Sequence, residues 1–336
     1  MHVLEELLVQ AKQKGASDLL VMVGDSPAMR VAGKWHRIDM SRCNDAMLET
    51  MARSVLQNDA FEELQRKREL DFSFSLPTTG RIRCNAHYQR DHLAMVHRLV
   101  WPEIPTPLAL GIPQHVIQMG DKPNGLILVS GPTGSGKSTT LAAIVEHINA
   151  HRPAHIITIE DPIEFIYKND KSIIEQREIG SDTISWHAAL RNVLRQAPDV
   201  IVLGELRDLE SISIALSAAE TGHLVMASVH SSSAPGAVSR IVDVFPPNQA
   251  SQVRLQLSQA LRMVFSQRLV QGKNPDTRVL LYEILIGTPA VANMIRSNEI
   301  EQLQNAINSG REHGMMSFGQ CHRELLAKGV ISELRL

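Results

Sequence analysis

In the opening segment MHVLEELLVQAKQKG, the apolar residues Val3, Leu4, Leu7, Leu8 and Ala11 recur at three- and four-residue spacing among charges, which predicts an amphipathic helix. The hydrophobic period then changes to two. DLLVMV from Asp18 and AMRVAGKWHRI from Ala28 read as strands, the latter with a turn signal at Ala32-Gly33. A helical stretch follows from about Asp45 to Arg68. In DFSFSL, Phe72, Phe74 and Leu76 share a face; PTTG from Pro77 to Gly80 is a turn. RIRCNAHYQ alternates, with Ile82, Cys84, Ala86 and Tyr88 facing one way and Arg81, Arg83, Asn85, His87 and Gln89 the other. LAMVHRLV from Leu93 is a third strand of this meander. The pattern is α+β, and on pattern alone the arginine face of the second strand is solvated.

LVWPEIPTPLALGIP, from Leu99 to Pro113, carries four prolines and predicts a linker, because proline resists both helix and sheet. Beyond it, strand-like LILVS, HIITIE, DVIVLGE and LVMASVH alternate with helical stretches near 137–150, 186–196 and 208–220. That alternation predicts parallel βαβ units. VLLYEILI near 279–286 adds a strand, and the last part of the chain reads as mainly helical. The expected organisation is an α/β protein with an N-terminal domain over 1–98, a linker over 99–113 and a second domain over 114–336.

Composition narrows the function. With 336 residues, 43% hydrophobic and 21% charged, the chain reads as soluble and globular. A formal net charge of −2 and 4% aromatics argue against nucleic acid as a partner. Cys43, Cys84 and Cys321 share no metal-like or disulfide-framework spacing, and so few cysteines suit a reducing cytoplasm. No apolar run approaches the roughly 18–20 residues of a spanning helix, so a role at a membrane would be exercised from one side.

GPTGSGKSTT, Gly131 to Thr140, has the P-loop spacing G-x-x-x-x-G-K-[ST] between a strand-like run and a helix-like one. Gly131, Pro132, Thr133, Gly134, Ser135, Gly136, Lys137, Ser138 and Thr139 form the candidate phosphate cradle for ATP. Its glycines let backbone amides turn toward phosphate oxygens, and the following helix adds its N-terminal donors. Lys137 should neutralise the β- and γ-phosphates and Ser138 should ligate Mg²⁺. DVIVLG leads into Glu205, and HIITI into Glu160-Asp161, with Pro162 and Glu164 following. Two acidic strand ends beside a P-loop predict a magnesium and water site, with Ser138, Glu160 and Glu205 as the metal set. His223 and His230 flank LVMASV. Seven residues apart on a strand they face opposite ways, so a shared metal is not expected. From the residues alone, a core histidine is the default for His223, and for His230, at the ligand end of its strand, a phosphate contact competes at least equally with that default.

IITIEDPIEF resembles the Asp box of the type II/type IV secretion ATPase superfamily, APDVIVLGELRD its atypical Walker B, and AAETGHLVMASVHS its His box. With the P-loop these stand in the family's order and spacing, and GASDLLVM at residues 15–22 is similar to its N-terminal signature. The likeness is strongest to its type IV pilus retraction ATPases. It implies a PAS-like N-terminal domain, a RecA-like ATPase domain and a homohexameric ring. It gives Glu164 the activation of water, Glu205 the Walker B role, and His223 and His230 places near the nucleotide. Arg81, Arg83 and Arg98 match N-terminal arginines that reach it. The implied partners are an inner-membrane pilus platform protein and a paralogous retraction ATPase, and the implied location is the cytoplasmic face of the inner membrane. Assembly-type relatives carry a tetracysteine zinc motif and a longer N-terminal region; neither is found here. Two segments depart from the family. SVHS stands for TLHT, and AVANMIRSNE, Ala290 to Glu299, stands for the retraction subfamily's AIRNLIRE. An accessory retraction ATPase or another assembly or secretion relative therefore stays open. From other classes, a RecA-like nucleic-acid motor and a non-hydrolysing ATP switch are the alternatives.

Overall fold

The period-two segments of the first hundred residues all become strands of one sheet. In the computed structural model, which describes residues 3–31, 33–99, 104–274 and 277–332, the chain divides into two units, Met1–Glu103 and Ile104–Leu336. In the first, β1 (Ala16–Met22), β2 (Ala28–Val31), β3 (Lys34–Arg37), β4 (Glu69–Leu76), β5 (Gly80–Gln89) and β6 (His92–Leu99) pair antiparallel in the order β3-β2-β1-β6-β5-β4. The helix Val3–Gln13 lays Leu4, Leu7, Leu8 and Ala11 into the core beside Leu19, Ile82 and Met95. Truncating one such buried leucine to alanine typically costs about 2–5 kcal/mol. On β5, Ile82, Cys84 and Ala86 are buried and Arg81, Arg83, Asn85 and His87 lie on the other face, as the alternation predicts.

The helical stretch from Asp45 to Arg68 is made of two helices, Asp45–Arg53 and Asn58–Lys67. The Ser54 hydroxyl donates to the Met51 carbonyl, 2.6 Å away, and the helix ends there. Such back-bonding competes with the helical ladder. The proline-rich stretch is also less of a linker than its composition suggests. Pro107–Leu110 is a short helix, and Ile112 is buried with Val116 and Ile117 against the second unit's sheet. Residues 100–103 of that stretch, and Ala32 of the first turn signal, lie outside the described residues.

The second unit is a three-layer α/β structure. β7 (Gly125–Ser130), β8 (His155–Glu160), β9 (Ile173–Glu178), β10 (Val200–Leu203), β11 (Leu224–Val229), β12 (Leu261–Gln271) and β13 (Arg278–Ile286) are ordered β13-β12-β7-β11-β10-β8-β9. All neighbours run parallel except β12 and β13. Strand residues alternate between two cores. Leu126, Leu128, Ile157, Ile201 and Val225 face the helices Trp186–Val193, Leu209–Glu220 and Ala234–Asp243. Ile127, Val129, Ile156, Val202 and Met226 face the helix Lys137–His151. Burial on both faces explains the unbroken apolar runs of β7, β10 and β11. β7 is an interior strand beside the central β11, and the chain leaves its carboxyl end where these neighbours connect in opposite directions, which is where open α/β sheets bind ligands.

Candidate active site

The loop after β7 curls tightly. A Cβ on Gly131 would lie 2.4 Å from the Gln267 carbonyl oxygen and 2.5 Å from Ser135 Oγ, so only glycine fits without displacing backbone. Gly136, at φ +87°, caps the helix Lys137–His151 in the left-handed region open to glycine, and supplies no side-chain acceptor to the first amides. The helices that begin after Ser185, Asp208 and Ser233 are each closed by a side-chain oxygen instead. The amides at the start of Lys137–His151 are thus left for another acceptor. Gly131→Ala is expected to lower ATP turnover at least about tenfold, because a shift of about 1 Å in a positioning group can cost more than that. A steady-state assay on folded protein checks it, and unchanged turnover would mean the loop's curl is dispensable.

Lys137 Nζ folds over the loop and donates to the carbonyls of Gly131 and Pro132, each 3.1 Å away. Burial pulls its ammonium below the ordinary lysine value, against the opposing charges of Glu205 and Glu164. These groups line one cleft of about 580 Å³, together with Ser138, Glu160, Arg207 and His230. Such a volume is within the range of small-molecule sites.

The two acidic strand ends differ in chemistry. Glu205 is clasped: Arg207 Nε lies 2.7 Å from one carboxylate oxygen and His230 Nε2 lies 3.2 Å from the other. The β10–β11 pairing brings Glu205 and His230 to neighbouring strand ends. Glu160 is turned into the protein. Its Oε1 accepts from Thr158 Oγ1 at 2.7 Å and Gln176 Nε2 at 3.2 Å, and its Oε2 accepts from the Glu164 amide at 3.4 Å. Burial raises its pKa above the usual carboxylate range, and Glu164 adds to the rise. In this arrangement Glu160 braces the turn that carries Glu164, and Glu205 is the acid with the more direct claim on a metal or water.

Not every expected site residue converges here. His223 sits at the start of β11, with Nδ1 3.1 Å from the Ala218 carbonyl, whereas His230 follows the strand's other end. Seven residues of strand separate them by roughly 23 Å. His223, half-buried and bonded to Ala218, does not line the cleft that Lys137 and Glu205 share. Arg81, Arg83 and Arg98 lie on the first unit's sheet. Arg83 is directly opposite Arg98 across β5 and β6, and Arg98 Nε lies 3.1 Å from the buried Asp18 carboxylate.

Three further side chains contribute to the site without a motif that marks them. Arg207 stands two residues after Glu205 and is legible in the sequence only as a nearby charge. Gln176 lies on β9, whose polar sequence IIEQRE hides an edge strand. Gln267 lies on β12, far along the chain: its Nε2 donates to the Ser135 carbonyl at 2.6 Å and its Oε1 accepts from Thr140 Oγ1 at 2.7 Å. No local motif marks it.

Residues 113–330 match the family model described as type II/IV secretion system protein. Over 327 residues, covering 97% of this chain and 95% of the relative, the chain is 42% identical to the type IV pilus retraction ATPase PilT of Pseudomonas aeruginosa. It is 36% identical to the type IV pilus ATPase PilU of the same organism, over 98% of this chain and 86% of that one. A crystal structure of the pilus retraction motor PilT with bound ADP superposes with a TM-score of 0.92 at 42% identity, over 99% of this chain and 95% of that one. A strand–loop–helix phosphate cradle, with a clasped carboxylate on the next strand but one, is thus held in a chain that belongs to the type II/IV secretion system protein family.

Proposed function

We propose that this protein is a magnesium-dependent ATPase that works as a homohexameric motor for type IV pilus retraction, at the cytoplasmic face of the inner membrane. The observation that carries the reading is Glu205, clasped by Arg207 and His230 in the same cleft as Lys137 and the P-loop. Among the described residues no three His, Cys, Asp or Glu side chains are grouped to hold a metal alone. The oxygen donors Ser138 and Glu205 suit a hard ion shared with phosphates, which is how Mg²⁺ is ordinarily held. Bound there, Mg²⁺ would neutralise charge that develops between the β- and γ-phosphates.

The chain's own residues do the rest. The amides of the P-loop and of the first helical turn orient the phosphates, and Lys137 offsets their charge. Glu164, held by its amide to Glu160, is the candidate for orienting the attacking water. His230 steadies Glu205 and would meet the terminal phosphate. Residues 1–98 supply a PAS-like domain and residues 114–336 a RecA-like one. The mechanical partner is a membrane platform protein; among the described residues no helix is long and apolar enough to cross a membrane.

The retraction reading draws on the 42% identity to PilT; an accessory role beside a paralogue draws on the 36% identity to PilU. Loss of the gene is expected to leave cells with pili that extend and do not retract, visible as excess surface pili by electron microscopy. Bald cells would point to an extension motor instead. An unchanged phenotype would favour redundancy or the accessory role.

A further inference from the structure

We infer that Gln267 is a positioning residue for the phosphate-binding loop, pinning its curl from a strand that carries none of the recognised nucleotide motifs. The inference rests on the cleft being a nucleotide site. Gln267 is almost fully buried, at 1% exposure. It follows directly on Ser266, which is opposite Ser130 at the end of β7, and the Ser130 and Ser266 hydroxyls are hydrogen-bonded to each other. The register thus sets Gln267 beside the point where the loop begins. From there it reaches the loop at two points and the helix after it at one. Its carbonyl oxygen occupies the space a Cβ on Gly131 would need. Its Nε2 holds the Ser135 carbonyl at 2.6 Å, and its Oε1 holds Thr140 Oγ1 at 2.7 Å, in the first turn of the helix Lys137–His151.

The chemistry requires an amide. Ser135 offers a carbonyl, which needs a donor, and the Thr140 hydroxyl is donating, which needs an acceptor. A glutamine side chain supplies both from one planar group; glutamate supplies only the acceptor and leucine neither. The scaffold is stiff as well, because Gln267 is paired to Tyr282 on β13 while the residues before it are paired to β7. Gln267 therefore fixes the distance between the loop's middle and the helix that follows. That distance decides whether the amides and Lys137 converge on one phosphate group. The adjacent Arg268 extends the same strand's reach outward: it donates to the Ser232 carbonyl at 2.9 Å, in the segment after His230, and its guanidinium lies 4.6 Å from the Phe318 ring.

The test compares Gln267→Leu, Gln267→Glu and Thr140→Val with the parent protein. Affinity for a fluorescent ADP, ATP turnover and thermal unfolding without nucleotide are measured on full-length protein. Gln267→Leu is expected to bind ADP roughly ten- to a hundredfold more weakly, with kcat reduced as well, since two buried bonds are lost and the loop is released. Gln267→Glu should be affected at least as much, because it sets a carboxylate against the Ser135 carbonyl beside bound phosphate. Thr140→Val, which removes one bond and keeps the shape, should lose roughly three- to tenfold. Combined with Gln267→Leu it should add almost nothing. A residue with only a packing role would lower the unfolding midpoint and leave ADP affinity at low temperature unchanged. That result in Gln267→Leu would overturn the inference. If Gln267→Leu does not fold, Thr140→Val decides: unchanged ADP affinity there overturns it too. A Lys137→Ala control separates the inference from its premise. Turnover lost in Lys137→Ala and retained in all three test variants refutes the positioning role alone; turnover retained in Lys137→Ala refutes the nucleotide cleft itself.

Discussion

Lys137→Ala is expected to reduce ATP turnover a hundredfold or more. Removing one preorganised charge from a site shielded from water costs on the order of 3–4 kcal/mol in the transition state. The local balance of charge argues that binding suffers too. Glu205 and Glu164 both act on the Lys137 ammonium, and once it is gone they face the triphosphate with less to offset them. Turnover and fluorescent-ADP affinity should therefore fall together, in a coupled-enzyme assay and a titration on purified, folded protein. Near-parental turnover would put the active site elsewhere.

Glu205→Ala is expected to separate the two quantities. The carboxylate acts on metal and water, so hydrolysis should fall by a factor comparable to that for Lys137. Affinity should hold or improve. Arg207 and His230 are both committed to Glu205, which is only 15% exposed. Its removal leaves those two side chains facing the cleft without a carboxylate between them, which favours an anion. Measuring affinity beside turnover decides the matter. Equal loss of both would assign Glu205 to folding rather than to catalysis.

The sequence made the parallel core readable because burial on both faces demands unbroken apolar runs, and β7, β10 and β11 have them. It made β5 readable for the opposite reason, since one face is core and the other polar. It concealed β12. The helix Pro247–Ala260 passes into Leu261 with no intervening loop, and LSQALRMVFSQRLV satisfies a helical period as well as it satisfies a buried strand. With β12 hidden, Gln267 had no visible route to the loop it supports. The histidines illustrate a second limit. His223 and His230 are near in sequence, yet a strand's length puts them at opposite ends of the sheet. The helical stretch expected over Asp45–Arg68 is helical on both sides of a break at Ser54, where a side chain competes with the backbone ladder. The motifs located the chemistry; long-range pairing, which no short window records, determined how it is braced.

The helix Lys137–His151 starts without a side-chain acceptor for its first amides. On the proposed function, the acceptor is the substrate's phosphate, so part of the fold's completion is delegated to a solute. At a nucleotide concentration a hundred times its dissociation constant, linkage adds about 2.7 kcal/mol to the folded state. That is a sizeable share of the stability of an ordinary domain. Melting temperatures measured after exhaustive dialysis would then describe a weaker molecule than the one at work, and the durability of this motor would follow the energy supply of its cell.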